Sequence, residues 1–408
     1  MLSILRKLKK LFVATLIVII SLVVADIMLH GLASVSPRVN EVVSILSAKI
    51  PDDRLGHRPN PAYPGHDAKG FRNPQVPGTA HVVALGDSHT YGSGVKSEQA
   101  WPRVLESLLE HPVYNMGLGG YGPVHSLLLW DEAVVLKPAV VIEAIYAGND
   151  LHDSFKMVYK RGQLPELKTI DKNLQDVITQ AEVSDSIGKR VSKMYRRGET
   201  KSKTRLKIKA WLDEHSKIYG LLRRTQDELS QYRKKEGQAS RSAEDKWKKA
   251  QSFAAKHSEY AQAFSSDNAR TVFTSEYRLA ALNLDDHRIR EGQRISLEAI
   301  RQMHQLAQRD GIRFIVLLIP TKEFVFAEQA AGIDAPNYHI LVRNERQFWD
   351  ETISFLQQHT IEYIDALPSL QLELETGPQP YKMSHDGHPN EHGQHAIAAT
   401  VHSYLGPQ

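Results

Sequence analysis

The sequence predicts an α/β protein: a parallel sheet covered by helices on both faces, preceded by an N-terminal transmembrane helix and interrupted by a helical insertion. Three observations carry this prediction. Short apolar runs alternate with amphipathic helical stretches. The alternation stops at Asn149-Asp150 and resumes near residue 291. A basic flank precedes a long apolar run at the N-terminus. Strands buried on both faces read as continuous apolar runs, and helical crossovers with short turns make neighbouring strands parallel.

Arg6, Lys7, Lys9 and Lys10 stand before "LFVATLIVIISLVVA", Leu11–Ala25. That run is helical in composition but reaches only about 22 Å, against a hydrocarbon core of roughly 30 Å. Continuing to Ala33 gives a full span, with Asp26 near the far interface. "VVA" before Asp26 offers a weak cleavage site, so a signal peptide is the alternative to the preferred retained anchor. By the positive-inside rule, the remainder of the chain faces away from the cytoplasm. The expected location is a bacterial inner membrane, single-pass, with the folded body in the periplasm or cell exterior.

Residues 34–80 are rich in proline and contain "HDAKGFRNP", which reads as an irregular approach segment. The alternation then begins. "HVVALG" (81–86) is a buried strand, "EQAWPRVLESLLEH" (98–111) a helix despite Pro102, and "VYNMG" (113–117) a short strand. "PVHSLLLWDEAVVL" (123–136) is a helix and "AVVIEAIYAG" (139–148) a third strand. After the interruption come a helix at 291–310, a strand at 312–320, a helix at 344–359, a strand at 361–367 and a closing helix at 390–405. The expected organisation is an anchor over 1–33, the approach segment over 34–80, an α/β domain built from 81–155 and 291–408, and a basic helical insertion over 156–290.

Net charge is only +4, but it is unevenly spread. Residues 156–256 hold 26 Lys/Arg and 13 Asp/Glu, so the rest of the chain is net acidic. No nucleic-acid motif accompanies the basic block. It reads as a solvated helical cap or, alternatively, as a surface for anionic headgroups or an acidic envelope polymer. The chain has no cysteine, which excludes disulfides, thiolate metal sites and a Cys nucleophile.

In an open parallel sheet, ligands gather beyond the C-terminal ends of the strands. The residues there are Asp87 and Ser88, then Asn115 and Gly120 in "NMGLGGYGP", then Asn149 and Asp150, then Thr321, Lys322 and Glu323. "SHDGHPN", with Asp386 and His388, precedes the closing helix. A lone Ser past a buried strand either caps the next helix or is a nucleophile held up to solvent. Acyl transfer needs a nucleophilic oxygen, a base, a group that orients the base, and donors for the oxyanion. Ser88 fits the nucleophile, His388 the base and Asp386 the orienting carboxylate, since residues i and i+2 of an extended loop project to one side. The Ser88 N–H, the Gly120 N–H and the Asn149 side-chain amide are the candidate oxyanion donors. Lys322 and Glu323 either touch substrate or pair with each other or with the insertion.

"GDSHTYG", "NMGLGGYG", "AGND" and "DGHPN" resemble, in that order, the four blocks of the SGNH (GDSL-type) hydrolase superfamily. The resemblance covers about two thirds of the chain. It implies a flavodoxin-like three-layer α/β/α fold and cleavage or transfer of ester-linked acyl groups. It places the four family residues at Ser88, Gly120, Asn149 and His388. The anchor, "GFRNP" and "LLIPTKE" look like one bacterial membrane-anchored branch. Two departures stand out. Ala147 replaces the first Gly of the third block, and Asp386-Gly387-His388 is one residue shorter than the usual Asp-x-x-His, which makes His385 a rival base.

The expected function is a cell-envelope serine esterase acting on short ester-linked acyl groups of a small molecule, lipid or polysaccharide through an acyl-Ser88 intermediate, with no cofactor. An O-acyltransferase acting on an envelope polysaccharide shares the first half-reaction, and a non-catalytic envelope binding protein is the third reading. His392 and His395, one helical turn apart, raise a metal site, but a surface pair on a polar helix face is the commoner outcome and no metal is expected.

Overall fold

The computed structural model describes residues 2–43, 47–189, 208, 211–212, 215–226 and 242–406. The chain divides into two compact units. One comprises Met1–Ala48 with Glu199–Ser242, the other Lys49–Gly198 with Ala243–Gln408.

In the first unit a helix runs over Leu2–Val35, and its segment Phe12–Val35 is long and apolar enough to cross a membrane. Asp26 does not stand alone on it. Its Oδ1 accepts hydrogen bonds from the Ile218 N–H at 2.8 Å and Ser216 Oγ at 3.0 Å, as a carboxylate does at the start of a helical stretch.

The second unit begins with an antiparallel hairpin, β1 (Lys49–Asp52) and β2 (Gly56–Pro59), where the sequence predicts irregular chain. Asp52 Oδ1 accepts from the N–H groups of Arg54 and Leu55 and so builds the turn between them. β3 (Val82–Gly86), β4 (Val113–Asn115) and β5 (Val140–Tyr146) follow, each inside its expected stretch. Next come a second hairpin, β6 (Gln262–Ser265) with β7 (Arg270–Phe273), then β8 (Arg313–Ile319) and β9 (Glu362–Asp365).

Five of these strands form one sheet in the order β4-β3-β5-β8-β9, every neighbouring pair parallel. Side chains alternate between two cores, as a period of two requires. Val83, Leu85, Val141, Ile145, Val316 and Leu318 face one side. Val82, Ala84, Ile142, Ala144, Ile315 and Leu317 face the other. Trp130 and the long helices His287–Asp310 and Pro336–Gln358 cover the first face, through Ile300, Met303, Phe348 and Trp349. Helices Trp101–Leu109, Leu367–Thr376 and Glu391–Leu405 cover the second, through Trp101, Leu370 and Ile397. This is the flavodoxin-like three-layer sandwich. Strand order reverses between β3 and β5, so a crevice opens beyond their C-terminal ends, where Ser88 stands.

Pro102 is tolerated because it lies in the first helical turn, where no intrahelical N–H partner is lost. The single helix predicted at 123–136 is two short ones, Pro123–Leu128 and Trp130–Val134, with Leu129 at φ −89°, ψ −1° between them. The insertion, read as helical, also holds the β6–β7 hairpin and the helices Lys172–Ser184 and Ala243–Lys256. The most strongly basic stretch, 190–207, lies outside the described residues, as does 227–241.

Candidate active site

β3 delivers the nucleophile candidate through a turn that only glycine fits. Gly86 has φ +144°, and a Cβ there would lie 2.8 Å from the Ala144 carbonyl oxygen of β5. The next residue, Asp87, caps the short helix Ser88–Tyr91, its Oδ1 accepting from the His89 N–H at 2.7 Å. The capping duty therefore falls on Asp87, and the Ser88 side chain is left for other partners.

Those partners are Asp87 Oδ2 at 3.1 Å and His388 Nε2 at 2.9 Å. His388 Nδ1 lies 2.7 Å from Asp386 Oδ1, which also accepts from the His388 N–H at 3.1 Å. The Asp-x-His spacing thus suffices to bring carboxylate, imidazole and hydroxyl into line. A Cβ on Gly387 would lie 2.4 Å from Arg278 Nη2, so a larger residue there would displace the end of that side chain. Burial alone would raise the Asp386 pKa, but the hydrogen bond and charge of His388, with Lys382 at 3.4 Å, hold it well below the usual carboxylate range. Asp386 therefore stays an anion. It fixes the Nδ1–H tautomer and turns the Nε2 lone pair toward Ser88. His89 packs 4.9 Å from the His388 ring and stacks on Tyr146 at 3.7 Å, and burial pushes its pKa down.

His385, the rival base, is turned elsewhere and stacks on Phe253 with ring centroids 4.1 Å apart. His392 and His395 are exposed on the closing helix, and among the described residues no three His, Asp or Glu side chains come together to hold a metal ion.

Lys322 and Glu323 are both buried. Lys322 is 0% exposed, and its ammonium donates to the carbonyl oxygens of Val272 (2.8 Å), Ser384 (2.9 Å) and Asp386 (3.2 Å). Glu323 Oε1 accepts from the Thr274 N–H at 2.9 Å. Of the two roles open in the sequence, the pairing with the insertion is the one observed. The pair ties β7 and its exit to the loop that carries Asp386.

Gly120 sits in a tight turn closed by the Tyr121 N–H donating to the Leu118 carbonyl at 3.0 Å. It holds the third position with φ +80°, where a side chain would be strained. Among the described residues, neither the Ser88 N–H nor the Gly120 N–H has a hydrogen-bond acceptor within the protein. Asn149 differs from expectation. Its Nδ2 donates to Asp150 Oδ1 at 3.1 Å and Asp153 Oδ2 at 2.9 Å, so both amide hydrogens are already engaged.

Sequence reasoning overlooked the contribution of the approach segment. Arg72 of "GFRNP" donates to the carbonyls of Tyr91, Gly92 (2.7 Å) and Val95 (3.0 Å), clamping the chain just past Ser88. Asn73 exchanges hydrogen bonds with the Asn115 backbone at the end of β4. Lys49 and His57 of the first hairpin both reach the Gly119 carbonyl. The turn signals at Asp52–Gly56 were the available clue to that hairpin.

No family model and no curated protein matches the sequence. Several solved structures are similar to the chain. One is a variant of an acetyl-xylooligosaccharide esterase from Geobacillus, at 11% identity and TM-score 0.37, covering 81% of this chain and 95% of its own. A protein assigned to the lipolytic G-D-S-L family, from Desulfitobacterium hafniense, gives 13% identity and TM-score 0.35 over 78% of this chain and 96% of its own. A GDSL-like lipase from Bacteroides thetaiotaomicron gives 10% and 0.33 over 79% and 86%. The chain is similar to SGNH-type ester hydrolases. At these TM-scores the likeness carries no argument about chemistry, which rests on the geometry around Ser88.

Proposed function

We propose that this protein is a serine ester hydrolase acting on short ester-linked acyl groups. The observation that carries the reading is the continuous relay Asp386–His388–Ser88, with a 2.7 Å contact between Asp386 and His388 and a 2.9 Å contact from His388 to Ser88, 300 positions away. Ser88 is the nucleophile, His388 the general base and then acid, and Asp386 the group that orients it. The N–H groups of Ser88 and Gly120 are the oxyanion donors, joined by Asn149 once its amide turns from Asp153.

The chemistry follows from these atoms. Ser88 Oγ attacks the ester carbonyl carbon and passes its proton to His388 Nε2. The carbonyl π pair moves onto oxygen, where the two backbone N–H groups receive it. Collapse breaks the bond to the alcohol, which leaves with the proton from Nε2. Water then gives a proton to His388 and attacks the acyl-Ser88. The second collapse releases the acid and returns the proton to Ser88.

In this reading, residues 81–155 and 291–408 are the catalytic domain. Phe12–Val35 is a retained anchor of about 36 Å at 1.5 Å per residue. The basic flank before it keeps the N-terminus cytoplasmic, so hydrolysis takes place on the far side of the membrane, in the envelope.

The test is Ser88→Ala. Turnover of p-nitrophenyl acetate falls at least about a thousandfold with thermal stability unchanged. A folded variant that turns over at the parental rate removes Ser88 from the reaction.

A further inference from the structure

The Gly119 carbonyl and the Gly120 N–H belong to one peptide unit, the central one of the Leu118–Tyr121 turn. The turn's own hydrogen bond uses neither group. The peptide is trans, as is every other in the described chain, so its C=O and N–H point in opposite directions. Two donors from the first hairpin converge on its oxygen: the Lys49 ammonium, and His57 Nε2 at 3.1 Å. Its N–H is left without an acceptor among the described residues. A Cβ built on Gly119 would lie 3.5 Å from both Lys49 Nζ and Ser88 Cβ, so the ammonium is no farther than about 7 Å from the Ser88 side chain.

We propose that Lys49 and His57 are positioning residues, which hold and polarise the Gly119–Gly120 peptide so that its N–H is a strong, correctly aimed donor for the oxyanion. The inference rests on the acyl-Ser88 reading and deepens it.

Three physical reasons support the assignment. A charged donor at a carbonyl makes a hydrogen bond roughly twice as strong as a neutral one. Drawing electron density to the oxygen makes the N–H of the same unit more positive, the cooperative strengthening seen along hydrogen-bond chains. A turn rich in glycine ("GLGGYG") has a soft backbone, so external donors are needed to fix the direction of its central peptide.

The surroundings keep both groups in role. Burial and the nearby Lys49 charge hold the His57 pKa down to about 4, so it is a neutral ring whose Nε2–H points at Gly119. Its ring is braced by Tyr121 at 5.4 Å and His125 at 6.4 Å, while the Tyr121 hydroxyl donates to the His57 carbonyl at 3.0 Å. Burial lowers the Lys49 pKa, opposed by the negative charges of Asp153 and Asp87. The consequence is a site completed by the hairpin that directly follows the anchor unit, rather than by the sandwich alone.

The experiment uses the full-length protein with p-nitrophenyl acetate and, as a mimic of the tetrahedral anion, phenylboronic acid. Removing an oxyanion donor outright costs about 10²–10³ in kcat. Here the donor remains but is weakened, so Lys49→Met lowers kcat about ten- to thirtyfold with KM within about twofold. Boronate affinity falls in parallel, and Lys49→Arg restores most of both. His57→Gln, which keeps an N–H donor, stays close to parental, and His57→Phe does not. Folded Lys49→Met and His57→Phe variants with parental kcat and boronate affinity overturn the proposal. So does a loss that Lys49→Arg and His57→Gln fail to spare. If Ser88→Ala abolishes turnover in the same assay, such a result leaves the hydrolase reading intact and sinks only the role of the hairpin.

Discussion

Lys322 is the residue whose replacement separates structure from substrate binding most sharply. It is fully buried and donates to three carbonyls, one of them that of Asp386 itself. Lys322→Met keeps the length and apolar stem but leaves three carbonyl oxygens without that donor. At about 2 kcal/mol for each orphaned buried acceptor, the gross loss is about 6 kcal/mol. Part is recovered, because the ammonium is buried at a cost. Its pKa is lowered to about 8, about 2.5 units below the ordinary value. At about 1.4 kcal/mol per unit, that relief is about 3.5 kcal/mol, which leaves a net loss of about 2.5 kcal/mol at pH 7. The sign of the pH dependence is fixed by the same shift. Between pH 8 and about 10.4 the unfolded lysine binds more protons than the folded one, so parental stability rises with pH across that window relative to the variant. Denaturant unfolding of both proteins at pH 7, 8, 9 and 10 measures the gap. Kinetics on the folded variant show reduced kcat, because the Asp386 loop loses its strut, with KM little changed. Parental stability together with a raised KM would refute this account and return Lys322 to the substrate pocket.

Other perturbations have defined outcomes. Asp386→Asn removes the charge that orients His388, and kcat for p-nitrophenyl acetate falls about 10²–10³-fold with KM little changed. Asp386 has a depressed folded pKa, so its stabilising contribution is complete above its unfolded value near 4 and is lost as pH falls through the lower folded value. The melting-temperature gap between parent and Asp386→Asn is therefore constant from pH 5 to 7 and closes in stronger acid. Gly120→Ala puts a side chain at φ +80°, in ordinary contact with His57 at 3.6 Å and Lys49 at 3.7 Å. The expected cost is about 1 kcal/mol of stability and at least about tenfold in kcat, read by thermal unfolding and turnover.

The sheet was legible because parallel strands buried on both faces must be apolar throughout. Val82–Gly86, Val140–Tyr146 and Arg313–Ile319 each lie within the runs read from sequence. The contact between Ser88 and His388 was legible for a different reason: loops beyond strand ends converge whatever their sequence separation, and the resemblance of the "DGHPN" block singled out His388 over His385. The hairpins were harder. β6 is four residues of alternating exposure, and β1 begins with Lys-Ile-Pro-Asp, so neither carries an apolar run. Lys49 and His57 could not be placed at the site without the pairing that brings β1 and β2 beside Gly119. The full burial of Lys322 was not legible because a Lys just past a strand normally faces solvent. Here the β7 segment covers it, a long-range contact that no local pattern encodes.

The claim on which the rest depends is that the hydroxyl of Ser88 attacks a carbonyl carbon. Treating the purified protein with a fluorophosphonate and sequencing the modified peptide by mass spectrometry tests it most directly. The account predicts one phosphonylated residue, Ser88, and no adduct in Ser88→Ala. Undiminished labelling of the folded Ser88→Ala protein, or an adduct on another residue with Ser88 intact, would contradict it.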